Sequence, residues 1–493
     1  MYNLKEAEFW FVAGSQHLYG AEALQKVEDH AREMVEKLNA SALIPGKIAF
    51  KMVASTGDAI EELMESANYD KKCAGIITWM HTFSPSKMWI RGLGKLQKPY
   101  LHLHTQYNKE IPNEAIDMDF MNLNQSAHGD REHGFIAARM RLARKVVVGY
   151  WETEAVQKKI AGWMRTAAGV AASRKLKVAR FSDNMRDVAV TEGDKVEAQI
   201  KLGWSVNTYP VGELVAYIDA VTDAEIAAQV KEYEEKYIVN TDCQESVRYQ
   251  AKMEVGIKKF LTEGGFDAFV NNFEDLFGMK QLPGLATQDL TAQGYAFGPE
   301  GDWKTAALGS VMKAIAQGDD KGTALMEDYT YHYADQGDSL ILGAHMLEVC
   351  PSLAAGKAKI EVHELGIGGK DAPARLVFEG KEGPAVVATL IDMGGRMRLI
   401  VNDIEAVKPV LPMPNLPVAR VMWKPLPNLE TSAEAWIIAG GAHHSILSYS
   451  VTAEQLQDWA EIMGIEFVHI GKDTDIVSFK QNLLLADIAW KLK

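Results

Sequence analysis

Residues 9–13 read Phe-Trp-Phe-Val-Ala, and after them the apolar positions Leu24, Val27, Ala31, Met34, Val35 and Leu38 recur at helical spacing. A short run of bulky apolar residues followed by a 3.6-residue period predicts a strand and then an amphipathic helix. The unit repeats. Residues 48–53 read as the next strand, followed by a helix starting near Ser55 or Thr56, where a hydroxyl can cap the first turn. Residues 75–78, 100–103 and 146–148 continue the series, with helical stretches between most of them. Such alternation predicts a parallel sheet covered by helices. Ligands gather at the carboxyl ends of strands in sheets of this kind. Polar segments fall there: Gly14-Ser15-Gln16-His17, then Trp79-Met80-His81-Thr82-Phe83-Ser84, then His104-Thr105-Gln106. None matches a phosphate loop, so nucleotide binding is not supported.

A second strand-helix set runs from residues 176–181 through an acidic helix at 223–237 to a strand at 266–270. The charges at 231–236 read as a solvated face. After about residue 322 the pattern changes to short alternating strands at 358–363, 374–378, 385–391, 396–401 and 418–423, separated by Gly and Pro. That spacing suggests an antiparallel barrel or sandwich. Residues 435–439, Ala-Trp-Ile-Ile-Ala, read as a buried strand, and an α/β return closes the chain. At 493 residues the chain is too long for one core. Three domains are expected: 1–175 and 176–322, both parallel-sheet α/β, then 323–493, mainly antiparallel β.

The net charge of −14 argues against nucleic acid and an anionic membrane as partners, since both recruit basic surfaces. A neutral or cationic ligand fits better. The first residues lack the basic segment and apolar core of a signal peptide, and no apolar run approaches bilayer length. Cys73, Cys243 and Cys350 are an odd number without a Cys-x-x-Cys pair, as in a reducing compartment. A cytoplasmic protein is the expectation.

Chemistry concentrates between Gly294 and Pro351. Glu300 stands in a Gly-Pro-Glu-Gly turn, Glu327 follows Leu325-Met326, and His345 closes the apolar run around Leu340-Ile341-Leu342. A charged group near a core is tolerated when a metal or partner satisfies it. Two carboxylates and an imidazole form an oxygen and nitrogen set suited to a divalent ion such as manganese, whereas a structural zinc site would usually include thiolates. His443 and His444 also stand out, because Gly440-Gly441 just before them lets backbone approach a ligand closely.

Several long motifs carry a resemblance. Pro-Glu-Gly-Asp-Trp-Lys-Thr-Ala-Ala-Leu (299–308), Met-Glu-Asp-Tyr-Thr-Tyr-His (326–332) and Gly-Ala-His-Met-Leu-Glu-Val-Cys-Pro (343–351) resemble motifs of the L-arabinose isomerase family. So do Gly-Ser-Gln-His-Leu-Tyr-Gly (14–20), Asn-Gln-Ser-Ala-His-Gly-Asp-Arg-Glu (124–132), Leu-Pro-Gly-Leu-Ala (282–286), Gly-Ile-Gly-Gly-Lys (366–370) and Ala-Gly-Gly-Ala-His-His (439–444). They occur in the same order and span essentially the whole chain. The resemblance implies two Rossmann-like α/β domains followed by a β-barrel, a fucose isomerase-like fold. It implies interconversion of L-arabinose and L-ribulose, and of D-galactose and D-tagatose, through an enediol. Glu300 and Glu327 are then the acid and base. Glu300, Glu327, His345 and His444 hold one Mn²⁺ per subunit, with Co²⁺ or Mg²⁺ as substitutes. Gln16, Leu18, Tyr19, His128, Met185, Phe273, Ile367 and His443 line the sugar pocket, with the N-terminal residues reaching a neighbouring subunit's site in a hexamer built as a dimer of trimers. Pro299, Leu325 and Ser445 depart from the commonest family pattern and bear on pocket shape. Two other readings compete: an isomerase of another aldose such as L-fucose, and a non-catalytic sugar-binding protein.

Overall fold

The structure, a computed structural model, describes residues 3–366 and 368–492. Packing divides the chain into two compact units that meet at Ala171 and Ala172.

The first unit holds β1 (Glu8–Gly14), β2 (Lys47–Ala54), β3 (Cys73–Met80), β4 (Tyr100–His104) and β5 (Lys145–Val148), all parallel, in the order 2-1-3-4-5. Strand β1 is apolar at nearly every position because both faces are covered. Phe9, Phe11 and Ala13 enter one hydrophobic cluster while Trp10 and Val12 enter another, the alternation that a pleated strand imposes. The following helix, Gly20–Ala40, buries Val27, Ala31, Met34, Val35 and Leu38, as its spacing predicts. Thr56 caps the helix Gly57–Tyr69 through its side chain. The strand order reverses between β1 and β3, and the segments that follow them meet there, with Thr82 Oγ1 donating to Ser15 Oγ at 2.7 Å.

In the second unit, β6 (Lys177–Phe181), β7 (Ser205–Tyr209), β8 (Ile238–Val239), β9 (Ala268–Asn271) and β10 (Ala296–Gly298) follow one another. All but β8 form a parallel sheet in the order 10-9-6-7. The remaining strands are β11 (Thr323–His332), β12 (Leu340–Ala344), β13 (Lys359–Val362), β14 (Ala374–Val377), β15 (Gly383–Asp392), β16 (Met397–Val407), β17 (Arg420–Pro425), β18 (His444–Ser448) and β19 (Glu466–Ile470). Six of them close into an antiparallel barrel, 15-18-11-12-17-16 and back to 15, and β19 extends it parallel to β16. Ala324, Met326, Ile341, Val387, Ile404, Val421, Trp423 and Leu447 enter one core cluster, and closure leaves these strands no open edge. The fold is thus two parallel α/β sheets followed by a barrel, as expected.

Three local expectations are corrected. Residues 358–363 and 374–378 form strands, β13 and β14, but these join β8 in a separate three-stranded sheet rather than the barrel. Residues 435–439 belong to a helix, Leu429–Ala439, not a strand. A five-residue apolar run carries too little period to separate the two, and the caps decide. Asn428 accepts from Thr431 N at one end, and Gly440 adopts a left-handed φ of 83° at the other. Lys236, read as part of a solvated face, turns inward to Asp289 at 3.0 Å. Among the described residues no helix is long and apolar enough to cross a membrane.

Candidate active site and metal centre

Glu300 lies in the turn that connects β10 to the helix Trp303–Ile315. Its φ is 57° and that of Gly301 is 75°, so two successive residues take the left-handed region. Only glycine tolerates the neighbouring crowding: a Cβ on Gly301 would meet Asn184 Cα at 2.7 Å, and one on Gly298 would meet Asp302 O at 2.1 Å. For Glu300 itself the conformation costs roughly 1–2 kcal/mol. It is held by Met185 N, which donates to Glu300 O at 3.0 Å. The turn thereby aims the carboxylate out of the helix start.

The barrel supplies the facing groups. In the β11 register Glu327 lies opposite Ala344 on one side and His444 on the other. Directly opposed residues of antiparallel strands project to the same face. His345 follows immediately after β12. Glu327 Oε2 is 3.9 Å from His345 Nε2, and Glu300 Oε2 is 3.5 Å from His443 Nε2 and 3.9 Å from His444 Nε2. The His345 and His444 rings lie 5.9 Å apart. Ligand atoms of Glu300, His443 and His444 all fall within 4.8 Å of one another.

Both inner histidines are backed by a carboxylate that sequence reading did not single out. His345 Nδ1 hydrogen-bonds Glu348, and His444 Nδ1 meets Asp302 Oδ2 at 3.1 Å. With Nδ1 engaged, each ring presents Nε2 to the site, the arrangement usual for a metal-binding imidazole. His444 is fully buried, yet its Nε2 has no hydrogen-bond partner. An orphaned buried nitrogen beside a carboxylate fits a divalent cation as its partner. Ligand atoms around an ion with bonds of about 2.1 Å lie about 3–4.2 Å apart, and the 3.9 Å separations of Glu327 from His345 and of Glu300 from His444 fall in that range.

Electrostatics reinforce the arrangement. The hydrogen bond to His443 holds the Glu300 carboxyl below its ordinary value, against the effect of burial, and raises His443 in turn. Burial disfavours charge on His345, but Glu348 and the two site carboxylates push it up to about 9. Burial likewise works to raise Asp302, and the charge of Lys304 together with His444 holds it low. Lys304, itself 1% exposed, is fixed by the carbonyls of Thr191 and Glu192 at 2.8 and 2.7 Å. Asp302 also accepts from Thr305 N and Oγ1, so one side chain caps the helix and orients His444. A faint signal marked the backing pair: Glu348 stands three residues after His345, and Asp302 two after Glu300.

Glu300, Glu327 and His345 line a cavity of about 340 Å³ whose apolar wall includes Phe273, Leu282 and Leu365, with Tyr329 beside them. That size suits a small ligand. Met185 is half-buried next to the Glu300 turn, and Ile367 lies outside the described residues. The other expected pocket residues belong to the first unit. There Gln16 and Tyr19 are half-buried, Leu18 is 84% exposed and His128 is exposed, all beyond the carboxyl ends of the sheet. Tyr19 OH donates to Gln125 Oε1 at 3.4 Å, and the His128 ring stands edge-on to Phe83 at 4.8 Å.

Three family models together span residues 3–466. Residues 3–175 match the L-arabinose isomerase N-terminal domain, 177–318 the central domain and 322–466 the C-terminal domain. The chain is 59% identical over 497 residues to an L-arabinose isomerase of Geobacillus kaustophilus, covering 100% of both. It is 60% identical over 496 residues to one of Anoxybacillus flavithermus, covering 99% of both. A Thermotoga petrophila L-arabinose isomerase is 56% identical over 494 residues, covering 100% of this chain and 99% of its own. Matches of this length and identity, over the residues that build the Glu300 turn and the barrel mouth, mean that the chain belongs to the L-arabinose isomerase family and is an aldose–ketose isomerase.

Proposed function

We propose that the enzyme converts L-arabinose to L-ribulose, and D-galactose to D-tagatose, with Glu300 and Glu327 as the acid and base. The observation that carries this reading is the pair of carboxylates on one small cavity, with the Nε2 atoms of His345 and His444 turned toward them. Aldose–ketose exchange moves a proton from carbon 2 to carbon 1 through an enediol, and a second proton between the two oxygens. One glutamate can carry the first and the other the second. Phe273, Leu282 and Leu365 keep bulk water from the sugar, and polar groups at the mouth orient its hydroxyls.

Glu300, Glu327, His345 and His444 would hold one Mn²⁺ per subunit, with Co²⁺ or Mg²⁺ able to stand in. When bound, the ion supplies positive charge to offset the negative charge that grows on the sugar oxygens. His444 is favoured over His443 as the ligand: His444 is fully buried, backed by Asp302 and orphaned at Nε2, whereas the His443 side chain is 38% exposed. His443 is assigned to the sugar. Gln16, Leu18, Tyr19 and His128 would complete the pocket from a neighbouring chain of a hexamer, and the exposure of Leu18 and His128 on one edge of the first unit supports this. A division into domains at 175/176 and 322/323 belongs to the same reading, supported by family models that end at 175 and 318 and begin at 177 and 322. So does residence in the cytoplasm, supported by three cysteines left as free thiols.

The test is metal-stripped protein assayed for ketose formation from L-arabinose, D-galactose and L-fucose, before and after adding Mn²⁺. The expected result is turnover only with the ion, fastest on L-arabinose. Full turnover of stripped protein, or preference for L-fucose, would overturn the assignment.

A further inference from the structure

Away from the metal residues, a dense cluster of titratable side chains lies at the carboxyl edge of the first sheet. Strand β4 ends Tyr-Leu-His-Leu-His, so Tyr100, His102 and His104 leave the same face at two-residue spacing. His102 Nε2 is 2.6 Å from Asp130 Oδ1, and His104 Nδ1 is 2.7 Å from Asp130 Oδ2. Asp130, 4% exposed, projects from the helix Ser126–Arg139. Nearby on that helix His133 is fully buried and bonded to Tyr100 OH, which in turn meets Thr78 Oγ1 at 2.8 Å.

Both oxygens of the buried carboxylate are taken, each by an imidazole nitrogen at hydrogen-bond distance. An apolar contact would press helix to strand without desolvating three polar groups, so stability is a poor reason for this arrangement. A directional clamp is a better one, because hydrogen bonds fix position and rotation where apolar packing fixes only proximity. The first turn of the helix is pinned on its other sides too. Gln125 N donates to His81 O at 2.8 Å, and Gly129 packs so tightly that a Cβ would meet Thr82 O at 2.8 Å. Between these fixed points stands His128, exposed and braced edge-on by Phe83.

We propose that Asp130 is a positioning residue for the reaction: by holding His102 and His104 together it fixes the first turn of its helix and so aims His128 at the sugar. The inference rests on the reading of His128 as a pocket residue.

The experiment is a double-mutant cycle on the full-length, Mn²⁺-supplied enzyme, with kcat and KM for L-arabinose, Mn²⁺ affinity and Tm measured throughout. Asp130→Ala is expected to lower kcat/KM about tenfold to a hundredfold, the scale of a roughly 1 Å misplacement, with Mn²⁺ affinity unchanged. Asp130→Asn is expected to stay close to wild type, because its amide oxygen accepts from His102 while its NH₂ donates to a neutral His104. In a His128→Ala background, removing Asp130 is expected to cost nothing further, since the group it acts through has gone. A merely structural role gives instead the same extra loss in both backgrounds, together with lost folded protein, and overturns the proposal. Should Asp130→Ala fail to fold, His104→Phe removes one arm of the clamp and enters the same cycle, with the same non-additivity expected. If His128→Ala alone leaves kcat/KM unchanged, the pocket reading of His128 fails and this inference falls with it. If His128→Ala lowers kcat/KM while Asp130→Ala does not, the clamp alone is overturned.

Discussion

A single residue in this site has meaning only with the atom that holds it. Glu300 accepts an unfavourable backbone conformation in exchange for a carboxylate 3.5 Å from His443 and 3.9 Å from His444. Glu300→Gln and Glu327→Gln keep shape and remove the proposed proton-carrying group, so each is expected to lower kcat by about two to four orders of magnitude. Circular dichroism should show the fold retained, and turnover near wild type in either variant would remove that glutamate from the chemistry. Calorimetric Mn²⁺ titration separates the histidines. His444→Ala is expected to weaken binding more than His443→Ala, because His444 alone carries the buried orphaned nitrogen. Asp302→Asn leaves the ligand in place but disturbs its tautomer, and a loss of about tenfold to a hundredfold in Mn²⁺ affinity is expected. An unchanged affinity would assign Asp302 to helix capping alone.

Elements are held by their ends and by the polar groups buried between them. The helix Leu429–Ala439 stops at Gly440, whose φ is 83° and beside which Ile391 Cδ1 lies 3.3 Å from a would-be Cβ. Gly440→Ala is expected to cost about 1–2 kcal/mol in denaturant unfolding, with the strand and barrel signals otherwise intact. A second contact joins three helices of the central region. Glu254 and Asp289 are both fully buried, and Gln293 Nε2 lies 2.7 Å from each. Asp289 also accepts from Tyr237 OH at 2.5 Å and Lys236 at 3.0 Å, which keeps it charged against burial. Burial and the Asp289 charge raise Glu254 well above its ordinary value, favouring its protonated form. A carboxyl with a raised folded pKa stabilises fully below its unfolded value, and that contribution is lost as pH rises through the folded one. Glutamine mimics the protonated form at every pH. The Tm of Glu254→Gln relative to wild type is therefore expected to increase from pH 5 to pH 8, and a flat difference would show that Glu254 does not titrate in that way.

At the scale of the whole molecule the proposed pocket would draw on two chains. The metal-site residues come from the unit beginning at Ala172, whereas Gln16, Leu18, Tyr19 and His128 belong to the unit ending at Ala171. A cyclic assembly can bring such halves together identically at each interface. Dissociating and reassembling His128→Ala with Glu300→Gln is then expected to recover part of the activity, since some interfaces join two intact halves. If mass measurements demonstrate mixed oligomers and no activity returns, the pocket is built within one chain.

How much of this was readable beforehand depends on the range of the physical cause. The β1 strand, the helix Gly20–Ala40 and the Thr56 cap follow from interactions within a few residues, and the sequence shows each of them. Glu300, Glu327 and His345 stand out because their immediate neighbours are glycines or a core, a local mismatch visible in the chain itself. The run at 435–439 misleads, because five apolar residues satisfy a strand or a helix and only the flanking caps choose. Barrel closure, the departure of β13 and β14 to β8, and the Asp302–His444 contact between residues 142 positions apart depend on which distant segments pair. Local periodicity carries no record of those pairings. The sequence by itself determined most of the elements, their α/β-then-barrel order and the candidate side chains for the proposed chemistry. Tertiary structure alone decided which imidazole nitrogen faces which carboxylate, because that is set by hydrogen bonds formed only after the segments have met.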